Sequence, residues 1–368
     1  MKIILTGGGT GGHLFPLVAV AKKIKEKMGV ETEFLYIGSG AEIEKEVIGK
    51  EGIPIKHIMS GKIRRYFSFE NLLDIFKFPI GVIQSLWILL FDMPDVVFSK
   101  GGYASVPVVI AAWLYNVPIL IHDSDSVPGL ANRLSGKLAS RIAVAYPSAK
   151  DYFPENKTIF IGNPIREGIT GGNPENAITK YKFTHSQPVI LVLGGSQGSQ
   201  IINKAIVRIL PEIIHEAQII HQSGKKNYED TLHLAAEEGF KAGHDGYYLT
   251  DFLSIEDLRD AYAVSSLVIS RAGANAISEI AANAKPSILI PIKGSANGHQ
   301  VLNAKAISDI NGAYVLEEDN LGEHIFLQNI EKIINNKEVA SSLANNIKTF
   351  YNENADSVIA DGVIELGK

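Results

Sequence analysis

A chain of 368 residues is long for a single hydrophobic core and predicts two domains. Hydrophobic residues make up 46% of it and charged residues 20%, a globular balance that excludes disorder. The net charge of -5 lacks the basic excess of a nucleic-acid binder, and the absence of cysteine excludes disulfides, thiol nucleophiles and thiolate metal sites, in keeping with a reducing compartment.

Met1 runs directly into a first strand at residues 3–6, so no signal peptide is read. The strand ends on Gly7-Gly8-Gly9-Thr10-Gly11-Gly12-His13, and residues 14–27 follow with apolar side chains at helical spacing: Leu14, Leu17, Val18, Ala21 and Ile24. Glycines between a strand and a helix leave backbone N–H groups uncovered at the helix N-terminus, where orphan donors and dipole favour a polar or anionic ligand. His13 sets an ionisable group on the rim of that turn. Gly7, Gly9 and Gly12 also fit G-x-G-x-x-G. The dinucleotide fold needs in addition an acidic residue ~20 positions on. Here the second strand runs into Gly38-Ser39-Gly40, and Glu42 falls on the next helix, which argues against nicotinamide or flavin binding.

Further strands are predicted at residues 33–37, 54–57, 96–99, 118–121 and 142–145, with helical stretches between most of them. The alternation predicts a parallel sheet with helices on both faces, and such sheets bind ligands beyond the carboxyl ends of their strands. Gly101-Gly102-Tyr103 and His122-Asp123-Ser124-Asp125 fall there, as does the first glycine turn. The two aspartates match a D-x-D metal-nucleotide signature, but no further acid stands close in sequence, and hydrogen bonding from a loop is the preferred reading. His57, His122, His221 and His233 are read as structural.

Residues 62–91 join a basic edge (Lys62, Arg64, Arg65, Lys77) to an apolar, aromatic stretch that includes Phe78, Trp87 and Phe91. Two readings stand: an element lying on an anionic membrane surface, or a buried helix beside a solvated basic loop. The apolar run at 78–91 falls short of the ~20 residues that span a bilayer.

Around Ile161-Gly162-Asn163-Pro164-Ile165-Arg166 the pattern loosens, and Gly168, Gly171, Gly172 and Pro174 follow. The boundary is placed here. Residues 1–162 form an N-terminal domain and 163–345 a C-terminal one. Residues 346–368 read as helices, with the option of packing back on the first domain. The second half opens like the first: a strand at 188–193, the turn Gly194-Gly195-Ser196-Gln197-Gly198, and a helix at 201–214. Strands follow at 218–221, 246–249, 267–270, 287–291 and 313–316. The run Ser270-Arg271-Ala272-Gly273-Ala274-Asn275-Ala276-Ile277-Ser278-Glu279 leaves a strand and opens a helix. Its small residues and backbone N–H groups suit a diphosphate. Glu279 suits a ribose diol, or serves only as a carboxylate complementing the helix dipole. His299, Gln300 and Asn303 open the next helix.

The order and spacing of these motifs resemble the MurG family of bacterial peptidoglycan N-acetylglucosaminyltransferases over nearly the whole chain. The markers are Gly8-Gly9-Thr10-Gly11-Gly12-His13 with Phe15-Pro16, Gly101-Gly102-Tyr103, Gly129-Leu130 with Asn132, Gly162-Asn163-Pro164-Ile165-Arg166, Gly194-Gly195-Ser196-Gln197-Gly198, Ser270-Arg271-Ala272-Gly273, Ser278-Glu279, and Gln300 with Asn303. The resemblance implies a glycosyltransferase B fold: α/β, with two Rossmann-like doubly wound domains facing across a cleft. It implies inverting transfer of N-acetylglucosamine from UDP-N-acetylglucosamine to the muramyl 4-hydroxyl of an undecaprenyl-linked muramyl pentapeptide, forming lipid II from lipid I. The enzyme would be peripheral, at the cytoplasmic side of the cell membrane, with no cofactor and no metal.

Carried over residue by residue, the resemblance puts Ser196, Arg166, Glu279 and Gln300 on the donor, with Glu279 on the ribose. The turn of Ala274, Asn275, Ala276, Ile277 and Ser278 takes the diphosphate, and backbone near Ile255 faces the uracil. Thr10, Gly11 and Gly12 approach the sugar, and His13 is the candidate general base, with Asp125 or Asp123 as the alternative. One position departs from the family: His-Glu-Gln-Asn is usual where this chain has His122-Asp123-Ser124-Asp125. An ionised Asp125 accepts hydrogen bonds but cannot donate them as the family's Asn does. Two other enzyme readings are a UDP-sugar epimerase on the same fold and a UDP-sugar transferase with another lipid acceptor. A non-catalytic nucleotide-sugar binder at the membrane is a third.

Overall fold

The computed structural model describes residues 1–61, 69–195, 198–295 and 298–368, and the side chains of all of these except Val30 and residues 69–76. The chain forms two units, Met1–Arg166 with Asn352–Lys368, and Glu167–Tyr351.

In the first unit seven parallel strands line up in the order β3-β2-β1-β4-β5-β6-β7. They are β1 (Lys2–Thr6), β2 (Glu33–Gly38), β3 (Ile55–His57), β4 (Val96–Ser99), β5 (Ile119–Asp123), β6 (Arg141–Val144) and β7 (Thr158–Phe160). The connecting helices are α1 (Gly11–Met28), α2 (Glu42–Ile48), α3 (Phe69–Asp92), α4 (Ser105–Leu114) and α5 (Leu130–Leu138). β4 and β5 are buried along their whole length, as apolar strands covered by helices on both faces must be. Strand order reverses between β1 and β4, the point in such sheets at which ligands bind beyond the carboxyl ends of the strands. β7 was not read from the sequence. It is a three-residue edge strand with Ile159 54% exposed, too short and too wet to leave an apolar run.

The second unit repeats the plan with six parallel strands in the order β10-β9-β8-β11-β12-β13. Its strands are β8 (Val189–Leu193), β9 (Gln218–Gln222), β10 (Tyr247–Thr250), β11 (Ser265–Ser270), β12 (Ser287–Leu289) and β13 (Tyr314–Val315). Its helices are α6 (Pro174–Tyr181), α7 (Gln200–Ile213), α8 (Tyr228–Glu237), α9 (Ile255–Val264), α10 (Ala274–Ala282), α11 (His299–Asp309), α12 (Glu323–Ile334) and α13 (Lys337–Lys348). Ile190, Val192, Ile206, Leu210, Ile219, Ile269, Phe326 and Ile330 fill its core.

The last helix, α14 (Ala355–Leu366), belongs to the first unit. Ile359, Ala360 and Val363 are fully buried there with Ile3, Leu5, Leu17 and Val20. The units divide after Arg166 rather than after Gly162, because residues 161–163 are tied into the first. Asn352 Nδ2 donates to Ile161 O at 2.6 Å, His122 Nε2 bonds Gly162 O at 2.9 Å, and Ser124 Oγ donates to Asn163 Oδ1 at 2.9 Å.

Candidate active site

In the first unit the glycine turn after β1 is braced from three sides. The Tyr36 hydroxyl of β2 donates to Gly7 O. Gly8 N donates to Gly101 O at 3.2 Å, which laces the turn to the loop after β4. Gly102 has φ +91, and a Cβ there would stand 2.8 Å from Gly8 O, so only glycine fits. The third side is Glu44, fully buried in the first turn of α2, whose Oε1 would lie 3.4 Å from a Cβ on Gly8. Its carboxylate accepts from Ser39 N at 3.2 Å, Ser39 Oγ at 2.8 Å and Gly40 N at 2.8 Å. A carboxylate therefore does stand beside the end of β2, supplied by Glu44. The nearby negative charge and burial push the Tyr36 hydroxyl's pKa upward, burial being the larger cause.

Thr10 caps α1 in an extended conformation with no capping bond from its side chain. Its hydroxyl instead lies 3.1 Å from His13 Nδ1. His13 is half-buried, while Thr10 and Gly12 are exposed and Gly11 is buried. Two residues beyond His13, the Phe15 ring carries the Arg166 guanidinium 5.1 Å from its centroid. The fold thus gathers Thr10, Gly11, Gly12, His13 and Arg166 in one neighbourhood of the first unit.

The loop after β5 holds the densest polar cluster. Asp123 is buried and both its oxygens are used: Oδ1 accepts from Asp125 N at 2.9 Å and Oδ2 from Asn132 Nδ2 at 2.8 Å. Lys100, at the end of β4, is 1% exposed, and its ammonium donates to Ser124 Oγ. Burial lowers the Lys100 pKa to about 7 against the opposing pull of Asp123 and Asp125. Burial, then the Asp125 charge, raises Asp123 to about 6. His122 is buried and held well below its usual pKa, by burial first and by the Lys100 charge second. Its Nε2 meets a carbonyl, so that nitrogen carries the proton and the ring is neutral. Among the described residues no group of three His, Cys, Asp or Glu side chains has the geometry to hold a metal ion. Lys100 and Glu44 went unnoticed in the sequence.

In the second unit, helix N-termini differ in how they are finished. Ser199 caps α7 by accepting from Ile202 N, and Ser254 caps α9 by accepting from Asp257 N. Gly273 begins α10 with no side-chain cap and no acid in the first turn. The helix thus starts with neither a capping side chain at Gly273 nor a carboxylate in its first turn. Ile277 is fully buried, and the Ser278 hydroxyl donates to Ala274 O at 2.8 Å, so neither of these side chains is presented outward. Glu279 lies one turn in and is 5% exposed. Asn303 of α11 is fully buried and donates to Ala272 O at 3.3 Å, a brace for the turn.

Arg271, just before the turn, pairs with Glu318 at 2.7 Å and donates to Ile290 O at 3.1 Å. Glu318 also accepts from Lys293 N at 3.4 Å, so the pair clamps the loop after β12. The same loop positions Gln300, whose Oε1 accepts from Ile292 N at 3.1 Å. Ile255 opens α9 and is 39% exposed, beside Phe252 at 52%. Ser196 lies outside the described residues, as do Gln197 and the cations Lys62, Arg64 and Arg65.

The described part of α3 presents Ile80, Ile83, Trp87, Leu90 and Phe91 to solvent. Trp87 and Phe91 stack with centroids 5.8 Å apart. Trp113, Leu114 and Tyr115, at the end of α4, are also exposed, and α4 packs on α3. No helix among the described residues is long and apolar enough to cross a membrane.

Comparison with known proteins matches residues 3–144 to the glycosyltransferase family 28 N-terminal domain and residues 189–360 to the family's C-terminal domain. A UDP-N-acetylglucosamine--N-acetylmuramyl-(pentapeptide) pyrophosphoryl-undecaprenol N-acetylglucosamine transferase from Lachnospira eligens is 41% identical over 333 residues, 90% of each chain. Among solved structures, MurG of Acinetobacter baumannii superposes with a TM-score of 0.77 at 24% identity, over 99% of both chains. A UDP-GlcNAc 2-epimerase from Neisseria meningitidis, bound to UDP-GlcNAc, superposes with a TM-score of 0.66 at 12% identity, over 99% of this chain and 100% of that one. The two superpositions establish a shared fold.

Proposed function

The chain belongs to glycosyltransferase family 28, and from that premise we propose how its residues divide the work of a two-substrate transfer. The enzyme is an N-acetylglucosaminyltransferase: it moves N-acetylglucosamine from UDP-N-acetylglucosamine to the muramyl 4-hydroxyl of lipid I, with inversion, and releases UDP. The chemistry sets two tasks. A base must take the hydroxyl proton, and the charge gathering on the departing diphosphate must be met by fixed donors.

The second unit holds the donor. The observation that carries this assignment is α10, an uncapped helix start with small residues and no acid in its first turn. Its N–H groups point at a diphosphate, and the helix dipole adds to them. Glu279, one turn further, accepts hydrogen bonds from the ribose diol. Backbone near Ile255 meets the uracil, while Gln300 and Ser196 contact the donor sugar and phosphates.

The first unit holds the acceptor. Thr10, Gly11 and Gly12 let the sugar approach the backbone closely, since two of the three carry no side chain. His13 takes the proton. For Nε2 to be the basic atom, Nδ1 must carry the ring's hydrogen, and the Thr10 hydroxyl at 3.1 Å is the acceptor that fixes that tautomer. Asp125 stands half-buried nearby as a further hydrogen-bond acceptor for the sugars.

The exposed apolar face of α3 and the end of α4 support docking on a lipid surface, because exposed aromatics in such number mark interaction sites on soluble folds. The enzyme then works as a peripheral protein on the cytoplasmic face of the membrane, where a lipid-linked acceptor is to be found.

Incubation with UDP-N-acetylglucosamine, with and without a soluble lipid I analogue, tests the reading. UDP release that depends on the analogue supports it. An epimerised donor formed without acceptor sinks it in favour of an epimerase.

A further inference from the structure

Tyr36 is wholly buried, and its hydroxyl donates to a backbone carbonyl, Gly7 O. The build of β2 explains that reach. Tyr36 and Gly38 lie two residues apart and so on the same face of the strand. A Cβ on Gly38 would stand 2.4 Å from Tyr36 Cε1. The bare face of Gly38 is therefore the space over which the ring leans, toward the end of the strand and the neighbouring turn. Leu5 is the register partner of Tyr36 on β1, and Gly7 lies two residues beyond it.

What the hydroxyl holds is one peptide unit. The Gly7 carbonyl and the Gly8 N–H belong to the same peptide, and both are bonded: the carbonyl accepts from Tyr36 and the N–H donates to Gly101 O at 3.2 Å. Between two glycines such a peptide can turn over with little steric resistance, because neither neighbour has a Cβ to oppose it. Turned over, the Gly7 carbonyl would face the Gly101 carbonyl, and the Gly8 N–H would face the tyrosine. A phenylalanine would fill the core as well as Tyr36 does, and a buried hydroxyl costs free energy unless it is bonded. The oxygen therefore has its use in this bond. The peptide it fixes lies just ahead of Thr10, whose carbonyl accepts from His13 N at 3.1 Å and Leu14 N at 3.4 Å as α1 begins.

We propose that Tyr36 is a positioning residue for the transfer: its hydroxyl holds the Gly7–Gly8 peptide in one orientation, and through that peptide it sets the start of α1, where Thr10 orients His13 toward the acceptor. The proposal rests on the transferase reading above. Tyr36 itself touches no substrate, and it acts through the backbone of the turn.

Y36F removes one oxygen and keeps the ring that fills the core. In the full-length enzyme it should lower kcat with UDP-N-acetylglucosamine and a soluble lipid I analogue by at least roughly tenfold, the scale of a slightly displaced group at the reacting atoms. UDP affinity in a calorimetric titration should stay unchanged. Ile359→Val serves as the stability control, since it trims the same core from α14, outside the turn, and costs stability of the same order as one hydrogen bond. Assayed where urea unfolding shows both variants folded, I359V should keep the wild-type kcat. In an H13A background the group being placed is gone, so Y36F/H13A should lie within about twofold of H13A, the scatter of such cycles, whereas independent losses would multiply. Wild-type kcat in Y36F would overturn the proposal. So would an equal loss in I359V, a UDP affinity that falls along with kcat, or multiplying losses in Y36F/H13A. A wild type that releases no UDP with the analogue would overturn the transferase reading and this inference together, whereas a wild-type-like Y36F overturns the role of Tyr36 alone.

Discussion

The Thr10 hydroxyl lies 3.1 Å from Nδ1 of His13, three residues on in the first turn of α1. A general base at the end of this pair requires Thr10 to accept rather than donate. Removing the base should cost about 10²–10⁴ in kcat, the usual contribution of proton transfer, so His13→Ala is expected to fall in that range. Thr10→Val deletes the acceptor and should cost only about 3–10-fold, the equivalent of one net hydrogen bond, while Thr10→Ser keeps the rate. Steady-state turnover of the three variants checks the arrangement. A His13→Ala enzyme slowed less than about tenfold would remove His13 from the role.

Arg271 and Glu318 form a nearly dry ion pair, their side chains 9% and 15% exposed. Glu318→Ala leaves the guanidinium buried without its partner, and breaking such a pair from one side costs about 3–5 kcal/mol. Because the pair also clamps the loop that sets Gln300, the donor KM should rise in the same variant. Urea unfolding and donor titration read the two effects. A stability change below about 1 kcal/mol, the range of an exposed pair, would show that Arg271 is held by its other contacts.

What could be read from the residues, and what could not, follows the range of the force involved. Gly9, Gly101, Gly102 and Gly195 each adopt positive φ, a local demand that glycine alone answers cheaply, so the glycine turns were legible from spacing. The apolar runs of β4 and β8 were legible because strands buried on both faces leave no polar alternation. Lys100 was not, since its burial depends on Ser124 and two aspartates more than twenty positions away. Glu44 hid for a related reason. No acid stands in sequence at the end of β2, and the carboxylate arrives there from α2, folded back onto Ser39 and Gly40.

His221 gives the second unit an acid-sensitive core. Its Nε2 lies 3.0 Å from Asn203 Oδ1 and must donate, which leaves Nδ1 to accept from the Tyr247 hydroxyl at 2.9 Å. Burial lowers the folded-state pKa to about 3 from 6.5. Below 6.5 the unfolded chain binds a proton that the folded chain refuses until about 3, so stability is complete above 6.5 and is lost as the pH falls through that window. Asp123, raised to about 6, works the other way: its folded form keeps a proton the unfolded chain releases, which adds stability at acid pH and loses it as the pH rises through 6. His221→Gln isolates the first effect, because Asp123 is common to both proteins. Its stability should fall less steeply on acidification, by up to roughly 1.4 kcal/mol per pH unit between about pH 4 and 6. Denaturant titrations across that interval measure the slope, and parallel curves would assign the acid limb to other groups.

Trp87 and Phe91 are 57% and 72% exposed and stacked on one another. If this face meets lipid, Trp87→Ser with Phe91→Ser should weaken sedimentation with phosphatidylglycerol vesicles by at least about tenfold, since burying one such ring is worth ~1.5–3 kcal/mol. Turnover of a water-soluble acceptor analogue should stay at the wild-type level. Unchanged vesicle binding in the double variant would clear α3 of the membrane role.

The return of α14 to the first unit also orders events during synthesis. Residues 167–351 are a continuous stretch with its own core, and they are complete before the ribosome has made α14. The first unit, although begun first, lacks Ile359, Ala360 and Val363 until the end. Domains commonly fold from the N-terminus onward, and here that sequence is inverted. The later-translated second unit can close while the earlier one waits, with the apolar side of α1 uncovered, for its final helix.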